Sequence, residues 1–232
     1  SSEEKAKQAY EEWRVLEENV WFYPARDLLF YHADIKGAFL TGKRMEVLRA
    51  IVEKKGREAI TVVTTMDAFL DGLPSKEELY GNRIKIHAEE ALDFQKLQEN
   101  LSILGYEREN QVESPGQFAV RGGILDVFPL TEENPVRIEL WGDEVDSIRS
   151  FDVESQRSTE NLQEIEIYPA TENWKQMETE SFLAYFPVKE TILFLDEPVR
   201  LQESAEIVEK EYFHSLESRE EAGIEADEIP IQ

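Results

Sequence analysis

Hydrophobic and polar positions alternate with a period of two in the middle of the chain, the mark of antiparallel strands with one buried face. In VRIELW, Val136, Ile138 and Leu140 point one way and Arg137, Glu139 and Trp141 the other. In ILDVF, Leu125 and Val127 share one side, with Ile124, Asp126 and Phe128 opposite. Simple closure of the loop from Leu130 to Pro135 sets Pro129 against Val136 and Trp141 against Ile124. One face of this hairpin is then wholly apolar and belongs to a core. The other mixes Trp, Phe and Ile with Arg and carboxylates, the makeup of a protein-binding hot spot.

Elsewhere the spacing changes. Ala6, Ala9, Tyr10 and Trp13 form one helical stripe, opened by Ser2 with acids in the first turn. A short strand follows at Val20 to Phe22, stopped by Pro24, and Arg44 to Lys54 predicts a second helix through Val47, Leu48, Ile51 and Val52. AITVVTT at 59–65 is a nearly continuous β-branched run of the kind buried on both faces of a parallel sheet. Arg83 to His87 reads as a strand. Glu89 to Leu104 reads as a helix carrying Phe94, Leu97, Leu101 and Leu104, ended by Gly105. Strands then follow in quick succession to Tyr168, as in an antiparallel meander. TILFLDE at 191–197 reads as another buried strand, and Pro198 opens a helix with Leu201, Ala205, Val208 and Tyr212 on one stripe. The acidic tail from Ser218 is expected to be loosely held. The chain therefore reads as an α/β domain (residues 1–87 and 169–232) interrupted by an inserted α+β domain with an antiparallel sheet (88–168).

Charge narrows the choice of partner. Twenty-five Lys and Arg stand against 50 Asp and Glu, a formal net charge of −25 over 232 residues. Such a field repels nucleic acid unless a basic stripe overcomes it, and the densest basic stretch is only Lys54, Lys55 and Arg57. Strong acidity also serves solubility alone. The chain has no cysteine, which removes disulfides, thiolate metal sites and cysteine nucleophiles. No apolar run reaches the roughly 18 residues of a membrane span. The first residues form an acidic amphipathic helix and not a signal peptide, so a cytoplasmic protein is the simplest expectation.

Catalytic motifs fare poorly against bland readings. ILFLDEP looks like a Walker B strand, with Asp196 and Glu197 placed for magnesium. The phosphate-binding partner motif is absent: GAFLTGKR at 37–44 has Gly42-Lys43 followed by Arg44, which offers no hydroxyl to a metal. Asp143, Glu144 and Asp146 lack EF-hand spacing and suit a solvated strand edge. His32, His87 and His214 show no ligand spacing. The glycines of RGG at 121–123 are expected to bend or bulge a strand, setting Arg121 near Trp141.

The block from Phe118 to Pro129, the segment VRIELWGDEVDSIRSFD and SQR at 155–157 resemble a module shared by two bacterial repair families, the UvrB helicases and the transcription-repair coupling factors (Mfd). FYPARDLLFYHADIKGAFLTGKRMEVLRAI and AITVVTTMDAFLDGLP make it more similar to the amino-terminal UvrB-like module of the coupling factors, and the tyrosine-rich hairpin of UvrB has no counterpart here. The resemblance implies a RecA-like half-domain without a functional ATP site, interrupted by a partner-binding domain. It implies a non-catalytic adaptor, without cofactor, that recruits UvrA to lesion-stalled transcription complexes in nucleotide excision repair. RNA polymerase, DNA and ATP-driven translocation would belong to other regions of the full-length protein. The family's contact positions fall on Arg121, Arg137 and Trp141, the last more usually phenylalanine; strand alternation adds Glu139. Arg121→Ala or Arg137→Ala is expected to weaken binding and leave the fold intact. The family's first strand and degenerate phosphate loop would precede Ser1, and its segment between Ala170 and Ser181 is longer. The alternatives are a UvrB-type or other helicase fragment that binds nucleotide, and a structural domain docking onto carboxy-terminal parts of its own chain.

Overall fold

The computed structural model describes residues 2–26, 35–54, 58–172 and 179–221. His32, Lys55, Arg57, the shortened segment at 173–178 and the tail beyond 221 lie outside these residues. The elements in chain order are α1 (Glu3–Trp13), β1 (Val20–Tyr23), α2 (Ile35–Glu53), β2 (Thr61–Thr64), α3 (Met66–Phe69), β3 (Gly72–Pro74), α4 (Lys76–Gly81), β4 (Ile84–His87), α5 (Phe94–Ile103) and β5 (Glu107–Arg108). They continue with β6 (Gln117–Arg121), β7 (Ile124–Val127), β8 (Val136–Trp141), β9 (Glu144–Phe151), β10 (Ser158–Leu162), β11 (Glu164–Ile167), β12 (Thr179–Ser181) and α6 (Pro198–Glu221). The fold is mixed α/β with antiparallel sheets. Two compact units emerge: one from residues 1–26, 47–78 and 173–232, the other from 27–46 and 79–172.

In the first unit β1 and β2 pair in parallel, Val20 beside Thr61 through Tyr23 beside Thr64. α1 buries Ala6, while Trp13 at the end of its expected stripe stays exposed. β3 and β12 form a separate antiparallel pair, and the fully buried Tyr185 donates its hydroxyl to the Pro74 carbonyl at 2.7 Å. Tyr23 stacks on Phe182 with centroids 4.6 Å apart. Two expectations fail here. β2 is half-buried along its length, because among the described residues its sheet has only two strands. TILFLDE forms no strand, and Ile192 and Phe194 are 79% and 81% exposed. An interior strand needs hydrogen-bonding neighbours along its edges, and the described parallel sheet supplies no position between two strands. Glu197, the second acid of the Walker-B-like stretch, adopts φ +50 before α6 and accepts Lys5 Nζ at 2.8 Å. That hydrogen bond, with the charges of Arg200 and Lys5, holds its carboxyl below the usual range.

The second unit is built on a six-stranded sheet in the order β10-β9-β8-β7-β6-β5, a meander except for the parallel β5–β6 pair. Its inner face packs Phe118, Leu125, Val127, Ile138 and Ile148 against Leu97 and Leu101 of α5. α5 starts later than its apolar spacing suggests. Asp93 caps it by accepting the Lys96 N–H at 3.0 Å, and the chain before it is engaged by β9. There Glu89 N–H donates to the Val145 carbonyl at 2.8 Å and Leu92 N–H to Asp143 at 2.7 Å. Glu144 is therefore bridged by Ala91, and the acids at 143–146 do not line an open edge. At the other end α5 closes with Gly105 at φ +87. Tyr106 N–H returns to the Leu101 carbonyl and Gly105 N–H to Ser102, a Schellman turn.

β4 pairs antiparallel with β11, so the strand expected in the α/β part belongs to this unit, whose second segment begins at residue 79. α2 also begins earlier than expected, at Ile35. Gly37 and Gly42 lower helix propensity, but tertiary packing overrides it: a Cβ on Gly42 would lie 3.0 Å from the Leu130 carbonyl oxygen. The GAFLTGKR segment is thus helix and not a phosphate loop, and Arg44 is fully buried with its Nε 2.8 Å from Glu172.

Two stability tests follow from this unit. Gly105→Ala places a side chain at positive φ and 2.7 Å from Thr171, so urea denaturation should show a loss of about 1–2 kcal/mol or more. Burial pushes the Glu166 carboxyl up, but hydrogen bonds from Arg83 at 3.1 Å and Lys85 at 3.3 Å outweigh it and leave the pKa below 4.5. A depressed carboxylate contributes stability above its unfolded pKa and loses it as pH falls through the folded value. The melting temperature of Glu166→Gln should accordingly fall less steeply than wild type between about pH 5 and pH 3.

Candidate functional site

The outer face of the six-stranded sheet carries all four residues singled out by sequence. Gly122 and Gly123 form the tight turn that pairs Arg121 directly with Ile124, with Gly122 at φ +61. RGG is therefore a hairpin turn and not a bend within a strand. β7 and β8 pair two residues out of the expected register: Val127 faces Val136, and Ile124 faces Glu139. The cause lies at Phe128, whose backbone stays with β6: its N–H donates to the Gln117 carbonyl at 2.9 Å and its carbonyl accepts from Gly116 at 2.8 Å. Pro129 has no N–H for a ladder, so the loop opens there. A shift of two preserves the faces, but it changes who meets whom.

In the observed register Asp126 lies opposite Arg137, where simple closure had set it opposite Glu139. Like charges directly opposite are unfavourable, and that signal was available in the sequence. Asp126 is only 3% exposed, and Arg137 clamps it with Nε at 2.6 Å from Oδ1 and Nη2 at 2.8 Å from Oδ2. The guanidinium also lies 4.6 Å from the centroid of the buried Phe151 ring and reaches Gln156 Oε1 at 3.3 Å. The hydrogen bond to Asp126 raises the Arg137 pKa against the opposing effect of burial. Beside this pair Val112, Ala119 and Phe128 make a small second core, with Val153 against it. One end of the outer face is thereby covered.

The other end is open. A bulge between Glu139 and Leu140 resets the β8–β9 register so that Trp141 faces Glu144 across the turn at Gly142. Leu140 N–H reaches the Gly123 carbonyl at 2.9 Å, which carries Trp141 past the end of β7. With no β7 residue opposite it, the indole is 84% exposed. Arg121 is exposed and donates Nη2 to the Asn110 carbonyl at 2.9 Å. Glu139 is half-buried, ion-paired with Arg149 and 3.2 Å from Ser147 Oγ. Ile124 lies half-buried between Arg121 and Glu139. The face thus joins a bare aromatic, an exposed cation and a compensated carboxylate, a combination suited to a protein partner. Among the described residues no group of acids and histidines could hold a metal ion, and no helix is long and apolar enough to cross a membrane.

Residues 84–173 match the family model described as the UvrB interaction domain. This part of the chain is similar to a UvrB interaction domain. It comprises the strands from β4 to β11 together with α5. The chain is also 39% identical over 154 residues to the transcription-repair-coupling factor of Bacillus subtilis, and 34% identical over 155 residues to that of Staphylococcus aureus. These alignments cover 66% and 67% of the chain, which spans 13% of the length of either relative. The UvrB interaction domain is a protein-interaction module, in keeping with the makeup of its open face.

The four site residues differ in kind. Arg121 and Trp141 are exposed, with Arg121 bonded to the Asn110 carbonyl, whereas Arg137 and Glu139 are ion-paired within the sheet. Arg137→Ala strands a buried carboxylate and leaves Phe151 uncovered. Urea denaturation should show a loss of about 3 kcal/mol, contrary to the sequence expectation of an intact fold, while Arg121→Ala should stay within about 0.5 kcal/mol of wild type.

Proposed function

We propose that this chain is a non-catalytic adaptor module of a transcription-repair coupling factor, and that it binds UvrA through the open end of the outer sheet face. The observation that carries this reading is the bare Trp141 indole, on the same sheet face as Arg121 and Glu139, at the open end of a domain similar to the UvrB interaction domain. Arg121, Arg137, Glu139 and Trp141 compose the partner-binding face. The indole contributes apolar area and the Arg121 guanidinium pairs with a partner carboxylate.

In this reading the first unit derives from a RecA-like half-domain without a working ATP site, into which the interaction domain is inserted. The Lys5-bound Glu197 supports it, since its carboxylate is engaged by a lysine and not arranged to hold a metal. The formal charge of −25 favours a protein partner over nucleic acid. Contacts with RNA polymerase and DNA, and ATP-driven translocation, are assigned to other regions of the longer protein. The module's task is recruitment of UvrA to lesion-stalled transcription complexes.

Purified UvrA titrated with the 232-residue chain at physiological salt tests this. Saturable binding is expected, weakened by about 1–3 kcal/mol in Trp141→Ala and in Arg121→Ala. Thermal melts of both variants should match wild type. A well-folded wild-type chain that fails to bind UvrA would overturn the reading.

A further inference from the structure

We propose that Gln156 is a place-holder on Arg137: its side-chain carbonyl fills one prong of the guanidinium edge that a carboxylate of UvrA takes on docking. This deepens, and rests on, the reading of the outer face as the UvrA-docking surface. It adds the turn from Asp152 to Arg157 to that face as a specificity-determining element.

Arginine presents its N–H groups along two forked edges. In Arg137 the inner edge is fully used. Nε and Nη2 grip the two Asp126 oxygens at 2.6 and 2.8 Å, and Asp126 is only 3% exposed. A partner that pulled the group off this carboxylate would strand a buried charge. The outer edge, formed by Nη1 and the second N–H of Nη2, is in a different state. Nη1 makes no hydrogen bond among the described residues. Nη2 meets the Gln156 carbonyl oxygen at 3.3 Å, longer than a well-formed N–H···O bond. The Arg137 side chain is half-buried, so this edge is not sealed off. A carboxylate there makes two charge-assisted bonds where the neutral amide makes one long one. Arg137 can then hold the partner through its outer edge while its inner edge keeps Asp126 neutralised.

The turn that presents Gln156 is built for the purpose. Gln156 adopts φ +57, a left-handed backbone that glycine or asparagine occupies at lower cost. Its N–H donates to the Asp152 carbonyl at 2.8 Å, and its Nε2 donates to the Val153 carbonyl at 2.8 Å, which turns Oε1 towards Arg137. Asp152 accepts the Ser155 N–H at 2.8 Å and its hydroxyl at 2.6 Å, and donates its own N–H to the Arg157 carbonyl at 3.0 Å. None of these bonds uses Oε1, so the turn keeps its shape when the amide lets go. Gln156 is only half-buried, and the released oxygen passes to water. The exchange therefore strands no polar group, and it favours an acidic partner group over another neutral one.

UvrA titration of the 232-residue chain at physiological salt tests the place-holder. Gln156→Ala empties the prong, and affinity should equal wild type or rise up to about threefold. Gln156→Glu installs a resident carboxylate that competes with the partner's, and affinity should fall about tenfold or more. Ser158→Glu sets the same charge at an exposed position beyond Arg157 and should stay within about threefold of wild type. Each variant is expected to unfold cooperatively in urea like wild type. A tenfold loss in Gln156→Ala would make Gln156 a contact or a support for Arg137 and overturn the inference. Wild-type affinity in Gln156→Glu would also overturn it, as would an equal loss in Ser158→Glu. In an Asp126→Leu/Arg137→Met background, where packed apolar groups replace the ion pair, Gln156→Glu should have no further effect. A further tenfold loss there would show that the glutamate does not act through Arg137. If the wild-type chain fails to bind UvrA, the docking reading falls and this inference with it; if it binds and the Gln156 variants behave otherwise, only the place-holder falls.

Discussion

A carboxylate buried in the middle of a sheet must be neutralised, and the outer face of the six-stranded sheet is organised around that constraint. Asp126 lies inside the face, and Arg137 meets it in a two-pronged ion pair. Phe151 supports the guanidinium from below, and Gln156 approaches from the following turn. A buried pair of this kind adds little net stability compared with apolar packing, but it is intolerant of losing either member. It therefore works as a register device: only one alignment of β7 and β8 brings the two charges together. The same alignment carries Trp141 beyond the end of β7 and leaves it bare.

The two faces of the sheet divide the work. The inner face, closed by α5, gives the domain its core. The outer face is half closed by the small cluster around Val112 and Phe128, and half open at the RGG turn. A covered half supports an exposed half, so the proposed contact residues stand on strands and tight turns and not on long loops. Such preorganisation lowers the ordering cost of association. The formal net charge of −25 opposes self-association through the exposed indole.

Charge is distributed with similar economy. Several lysines and arginines face carboxylates, as in Arg83 and Lys85 with Glu166, Arg149 with Glu139 and Arg44 with Glu172. Arg121 makes no ion pair among the described residues, which leaves its charge available to a partner in a chain otherwise rich in internal compensation.

Sequence alone determined the strand pattern of the interaction domain, the identity of its apolar face, the helix at Pro198 and the absence of cysteine chemistry. These are local properties, since alternation, capping and composition act over a few residues. Register and burial were decided by tertiary structure. The loop after Phe128 follows β6, which set Asp126 against Arg137 and hid an ion pair that the simple hairpin had missed. Gly42 stayed in a helix because Leu130 packs against it. TILFLDE, the most strand-like run of the last third, remained exposed, because no neighbouring strands enclose it among the described residues. Each outcome depends on a partner distant in sequence, and local pattern carries no record of which partner arrives.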